Sequence, residues 1–203
     1  MKLTYLGHAC FLLESKDGSA VFDPYAPNYI DGLTLPELCA DTVLCSHGHG
    51  DHNYSAAVTL TGRVPSFKLS YIDSFHDECL GRKRGKNLIT VIDAEGLRIV
   101  HCGDLGHKLG DAELSALGRV DVLMIPVGGV YTVDAAAAKE IAEQISPRIV
   151  IPMHYRIGNR GLQNVAEVGE FIRLFDSAQV EYLADSTLTV DDSMHGIKVL
   201  AVK

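Results

Sequence analysis

The chain has 203 residues, with 18 lysines and arginines against 26 aspartates and glutamates, a formal charge of −8, and 47% hydrophobic residues. That length and apolar content suit one α/β domain with a real core and exclude a disordered chain. The acidic balance speaks against a general binder of nucleic acid or of anionic membranes, and no stretch approaches the roughly 20 apolar residues of a membrane span.

In chain order, Lys2–Leu6, Cys10–Glu14 and Ser19–Phe22 alternate polar and apolar residues, with a turn signal at Lys16-Asp17-Gly18. They predict an antiparallel meander. A hairpin is expected from Asn87–Ile92 and Leu97–Val100 around Asp93-Ala94-Glu95-Gly96. Asp121–Pro126 and Arg148–Pro152 are continuous apolar runs, the pattern of strands buried on both faces. Between them Ala135–Ile145 is rich in helix formers, with Thr132 as candidate N-cap and Asp134 in the first turn. Leu162, Val165, Val168, Phe171, Ile172 and Phe175 recur at helical spacing and predict another amphipathic helix. Strands at Thr187–Val190 and Ile197–Val202 close the chain as a pair. Antiparallel strands mixed with helices imply two sheets covered by helices, a sandwich forming one domain over residues 1–203.

Five cysteines (Cys10, Cys39, Cys45, Cys79, Cys102) are odd in number and contain no C-x-x-C. That is no disulfide framework. The opening Met1–His8 lacks the pattern of a secretory signal, so the cytoplasm is the expected compartment.

The sharpest feature is His47-Gly48-His49-Gly50-Asp51-His52, after the apolar run Thr42–Cys45. In extended backbone, residues i and i+2 point to one side, so His47 and His49 can reach one metal together. Gly48 and Gly50 lack side chains, so the loop can turn sharply and carry Asp51 and His52 to a second position. Imidazole and carboxylate are ligands of zinc and of other borderline divalent metals.

This H-x-H-x-D-H pattern resembles the signature of the metallo-β-lactamase superfamily of metal-dependent hydrolases, and the resemblance covers essentially the whole chain. The family's other motifs match Asp23 in Phe22-Asp23-Pro24, His76 in Phe75-His76-Asp77-Glu78, Asp104 in Gly103-Asp104, and His154 in Pro152-Met153-His154-Tyr155. More narrowly, Leu6-Gly7-His8-Ala9, Asp23-Pro24, Gly103-Asp104 and Pro152–Tyr155 look like the L-ascorbate-6-phosphate lactonase-like branch. The resemblance implies an αββα four-layer sandwich with a dinuclear site between the sheets. One metal would take His47, His49 and His76, the other Asp51, His52 and His154, with Asp104 between them. Zn2+ is the first expectation for both, with Mn2+ or Fe as alternatives. His47, Asp104 and His154 each follow a strand-like run, and α/β sites collect beyond strand ends.

Around this set, His76 competes with Asp77 and Glu78, and with His101 and His107. Asp23 is read as catalytic support that orients a ligand loop or histidine, with a turn cap before Pro24 as the plainer alternative. His8 is placed near the cleft or in the core, and His107 and His195 on the surface. Cys102 is read as a buried apolar residue. Arg82 and Arg84, with Tyr131 and Arg156, are candidates to bind an anionic substrate, and the plainer reading of Arg82-Lys83-Arg84 is a solvated loop.

The expected activity is hydrolysis by a hydroxide activated at two metals, with Asp51 orienting it, on a small anionic lactone or ester. A metal-dependent phosphodiesterase, a two-iron redox protein and a non-catalytic metal-stabilised binding module are the alternatives. The expected partner is a small molecule, not nucleic acid or a membrane, and protomers are expected to associate.

Overall fold

The computed structural model describes residues 1–191 and 193–202. Alternation at the start of the chain becomes three antiparallel strands, β1 (Lys2–Gly7), β2 (Cys10–Ser15) and β3 (Gly18–Phe22). Short strands β4 (Leu38–Ala40), β5 (Thr42–Leu44) and β6 (Val58–Leu60) follow. A long antiparallel pair, β7 (Lys68–Phe75) and β8 (Lys86–Ala94), continues through the expected hairpin into β9 (Leu97–His101). Helix α1 (Asp111–Leu117), β10 (Val122–Pro126), α2 (Ala135–Ile145), β11 (Ile149–Met153) and the one-turn α3 (Gly169–Ile172) come next. β12 (Val180–Leu183), β13 (Thr187–Thr189) and β14 (Gly196–Leu200) complete the order.

The strands form a five-stranded sheet, β13-β1-β2-β3-β5, and a seven-stranded sheet, β12-β14-β11-β10-β9-β8-β7. Period-two alternation sorts the first sheet's side chains. Leu3, Tyr5, Phe11, Leu13 and Phe22 join Ile89, Ile99, Met124 and Ile151 of the second sheet in the main core. Leu6, Cys10 and Val21 face the other way, under Tyr25, Ile30 and Leu33 of the following loop. Both faces of the first sheet are therefore covered. Its outer layer is this loop, the β4–β6 pair and one 3-10 turn, Ser55–Ala57, where a helix was expected. β10 and β11 pair in parallel and are buried at every residue, as their unbroken apolar runs predict. α2 buries Ala138, Ile141 and Ala142, packs on β10, and lies between α1 and α3. Among the described residues no helix is long and apolar enough to cross a membrane.

Three local expectations are corrected. The N-cap of α2 is Asp134, whose carboxylate accepts from the Ala137 amide at 2.9 Å, while the Thr132 hydroxyl donates to the Val133 carbonyl. The helical spacing of residues 162–175 yields only α3. The Ala166 amide donates to the Gly128 carbonyl, and its own carbonyl accepts from Arg156, so the chain is held as a bridge and cannot wind. The apolar positions still turn inward, with Val165 and Phe171 buried, and that produced the periodic signal. β13 and β14 do not pair with each other. β13 adds to β1, and β14 lies between β11 and β12 in the other sheet.

Candidate metal centre

The His47–His52 loop leaves the end of β5 and is braced from beneath by Asp23, at the end of β3. Asp23 Oδ1 accepts from the Ser46 amide at 2.7 Å. Its Oδ2 accepts from Ser46 Oγ at 2.7 Å and from His52 Nδ1 at 2.8 Å. Ser46 Oγ, having given its proton to Asp23, receives Nδ1–H of His47 at 2.9 Å. Both rings therefore present Nε2 to the cleft, as an orienting partner requires. Neither Gly48 nor Gly50 takes a left-handed φ. At Gly50 a Cβ would stand 2.6 Å from the Tyr29 ring, so a larger residue would push that half-exposed ring aside.

Other strand ends bring the remaining groups. His76 follows β7, donates Nδ1–H to the Tyr131 carbonyl at 2.9 Å, and sets Nε2 3.0 Å from Asp104 Oδ2. Asp104 follows β9, and its amide donates to Asn87 Oδ1 at 2.9 Å. Asn87 is fully buried, and its Nδ2 donates to Ser74 Oγ and the Cys102 carbonyl. His154 follows β11, with Nε2 3.4 Å from Asp104 Oδ2. Its amide donates to the carbonyl of His8, in the β1–β2 turn, at 2.7 Å. His8, Asp23 and His154 all hold left-handed φ, at 55°, 43° and 54°. Such backbone costs a non-glycine residue on the order of 1–3 kcal/mol and gathers at functional sites.

The Asp104 loop presses on the His76 loop. A Cβ on Gly106 would stand 2.4 Å from the Asp77 amide nitrogen and the His76 carbonyl carbon. Gly106→Ala is expected to destabilise the fold by about 1–3 kcal/mol, measured by denaturant unfolding, and to weaken metal uptake by parting His76 from Asp104.

Among the described residues three donor groups result, each with ligand atoms within 4.8 Å of one another: His47, His49 and His76; His8, Asp51, His52 and His154; and His47, His52 and Asp104. Asp104 is the hub. Its oxygens lie 3.2 Å from His52 Nε2 and 3.9 Å from His47 Nε2, besides the two contacts above. Nε2 of His8, His47 and His52, both nitrogens of His154 and Oδ1 of Asp104 are buried without a hydrogen bond of good geometry, although several lie within 3.2 to 3.9 Å of one another or of a neighbouring carboxylate. Unpartnered buried polar atoms are costly, and here they converge. Burial, reinforced by His52, lowers His47 to about 4, and burial with His154 lowers His8 to about 3. Held neutral, these two imidazoles keep a lone pair to donate. Burial opposes the charge of Asp104, but His154 and His52 hold its carboxyl well below the usual range. Imidazole nitrogens around a buried carboxylate fit divalent metal.

The comparisons agree with this chemistry. The family model described as Beta-lactamase superfamily domain matches residues 2–154. The chain belongs to the metallo-β-lactamase superfamily. A UPF0173 metal-dependent hydrolase from Pelotomaculum thermopropionicum is 30% identical over 226 aligned residues, covering 91% of this chain and 97% of its own. One from Thermoplasma acidophilum is 31% identical, covering 76% and 83%. A Thermotoga maritima structure, assigned as a Zn-dependent hydrolase of the superfamily, matches with a TM-score of 0.79 at 33% identity, over 100% of this chain and 99% of that one. The present chain is a metal-dependent hydrolase of the metallo-β-lactamase superfamily, with that fold.

Within this superfamily member, the cleft beside the cluster holds about 320 Å³ and is lined by Tyr29, His49, Asp51, His76, Arg84, Tyr131 and Leu162. Arg84 lies 5.6 Å above the Tyr131 ring. Asp77 accepts from the amides of Cys79, Gly81, Lys83 and Arg84, so it holds the arginine loop and does not compete with His76. Arg82 is exposed and absent from the cleft lining. Arg156 turns away, bonding Glu167 at 2.9 Å and the Gly158 carbonyl at 2.7 Å. Asp23 lies behind His52 and positions it. His101 has both nitrogens engaged, with the Ala9 carbonyl and the Gly103 amide. His107 accepts from the Phe75 amide, and His195 lies apart beside Pro147 and Phe175. Burial pushes the Cys102 thiol up to about 12, which removes it as a nucleophile.

The sequence reading missed Ser46 and Asn87 and left His8 undecided. Asn87 carried a usable signal, a lone amide opening the apolar run Leu88–Ile92.

Proposed function

We propose that this hydrolase holds two divalent ions, zinc first among them, and opens a small anionic lactone or ester. One ion is assigned to His47, His49 and His76, the other to Asp51, His52 and His154, with Asp104 shared. The observation that carries this reading is the placement of Asp104, itself after β9, within reach of four imidazoles from three other strand ends. When bound, such ions lower the pKa of water and polarise a carbonyl or phosphoryl oxygen. The chain's own residues do the rest. Asp51, part of the cleft lining, accepts a hydrogen bond from the attacking water and aims it. Arg84, stacked over Tyr131 at the mouth, pairs with the substrate's anionic group. The cleft volume suits a small molecule, in keeping with the lactonase-like branch that the sequence resembles.

The test is metal content per chain, followed by a panel of phosphorylated lactones, uncharged lactones, aryl esters and phosphodiesters. About two ions per chain with preferred opening of anionic lactones or esters supports the reading. No uptake of metal overturns the centre, and preferred cleavage of phosphodiesters overturns the substrate class. Arg84→Ala is expected to raise KM for an anionic lactone by roughly 10–100-fold, the worth of a charge-assisted hydrogen bond, with metal content unchanged. An equal change for an uncharged lactone would remove Arg84 from substrate recognition.

A further inference from the structure

His8 and His101 are both buried histidines near the cluster, but they differ in one respect. His101 spends both ring nitrogens on backbone partners and stacks on Phe22, with ring centroids 5.0 Å apart. It is a satisfied core residue. His8 leaves Nε2 buried and without a hydrogen-bond partner, 3.4 Å from Asp51 Oδ2. Its ring sits 4.0 Å from that of His154 and 5.0 Å from that of His52.

The backbone reinforces the contrast. His8 holds φ at 55° directly after Gly7 at 98°, and its carbonyl accepts from Tyr5 Oη at 2.9 Å and from the His154 amide at 2.7 Å. Glycine or asparagine would suit that turn better. All of those bonds are made by main-chain atoms of His8. What histidine adds is an imidazole, fixed in direction and facing Asp51, His52 and His154.

We infer that His8 is a ligand of the second ion, so that one position in the centre has four protein donors, His8, Asp51, His52 and His154, where the other has His47, His49 and His76. One donor atom from each of the four lies within 4.8 Å of the others. Protein donors close a site, and with Asp104 shared this position has five of them against four at the other, which keeps more room for water or substrate. The His8 position is thus the holding site. The open position falls at the other, where His49 is exposed and lines the cleft. This assignment rests on the dinuclear reading above, and the test separates the two.

Metal-free protein is titrated with Zn2+ against a chromophoric chelator, and with Co2+ while its visible absorption is followed. Wild type is compared with His8→Asn, His8→Gln and His49→Ala. Asparagine accepts left-handed backbone but is too short to reach the cluster. Glutamine keeps a donor for Asp51 while being a poor ligand. His8→Asn is expected to weaken one of two ions by more than the roughly 10–100-fold that loss of an orienting partner costs, and to change the Co2+ spectrum. His8→Gln should not restore either, and His49→Ala should weaken the other ion.

Binding of both ions by His8→Asn as in wild type overturns the assignment and leaves the dinuclear reading standing. Full restoration by His8→Gln also overturns it, since His8 would then only orient Asp51. If wild type takes up a single ion, its loss in His8→Asn supports His8 and removes the dinuclear reading, and its indifference removes both. No uptake by wild type overturns both. The metal-free unfolding midpoint checks the fold. Should asparagine disrupt the turn, the affinity and spectrum of His8→Gln decide.

Discussion

Alanine at Asp104 is expected to reduce bound metal to less than one ion per chain and to lower hydrolytic turnover by at least about 10³-fold, some 4 kcal/mol of barrier. The reason is geometric. The Asp104 carboxylate lies within 3.0 to 3.9 Å of nitrogens from His47, His52, His76 and His154. Those rings belong to both proposed metal positions, so one substitution removes a donor from each. It also takes away the negative charge that offsets two dications in a buried cleft. The fold itself should survive, because the bond that shapes this loop, Asp104 amide to Asn87 Oδ1, belongs to the main chain.

That separation gives a clean measurement. In wild type, metal at 100 times its Kd should raise unfolding free energy by about 2.7 kcal/mol. In Asp104→Ala the metal-free midpoint should change little, and the gain on adding metal should vanish. Asp104→Asn keeps the shape and one oxygen but not the charge. If the asparagine variant binds metal like wild type, the charge is not what holds the ions. Retention of both ions by the alanine variant would end the idea of Asp104 as a shared ligand.

Much of this centre was legible because its densest part is local. His47, His49, Asp51 and His52 sit in six consecutive residues, and the i, i+2 spacing by itself pairs His47 with His49. Asp104 and His154 were legible for another reason: each follows an apolar run, and parallel strands β9, β10 and β11 deliver their ends to one edge. His8 was not legible as a ligand. Its placement depends on the β1–β2 turn meeting His154 through a main-chain bond between different sheets. Which arginine faces the cleft was not legible for a similar reason. Arg84 and Arg156 both follow cleft-forming segments, but the bridge from Arg156 to Glu167 turns its side chain outward, while Asp77 folds the loop that carries Arg84 inward. The misread helix at 162–175 shares that cause, since the same bridge takes the amides and carbonyls a helix would need.

Asp23 provides the second large effect, and it acts without touching the cleft. Its carboxylate accepts three hydrogen bonds, from the Ser46 amide, Ser46 Oγ and His52 Nδ1. Asp23→Asn offers one oxygen and one NH2. If the oxygen stays on the Ser46 amide, the NH2 faces Ser46 O–H and His52 Nδ1–H, donor against donor. If the amide flips, the NH2 faces the Ser46 amide instead. Either arrangement leaves a buried donor unpaired, at a cost of about 1–3 kcal/mol. Relief comes only if His52 moves its proton to Nε2, the atom it must present bare, or if Ser46 turns and frees His47 Nδ1. The expected outcome is a loss of roughly 10–100-fold in affinity at both metal positions, with a lower denaturant midpoint in the metal-free protein. Metal competition and unfolding on the same preparation read both. Because one carboxylate aligns a ring from each donor set, Asp23→Asn should weaken the two ions together, where His8→Asn weakens one. Undiminished affinity at either position would reduce Asp23 to a turn cap.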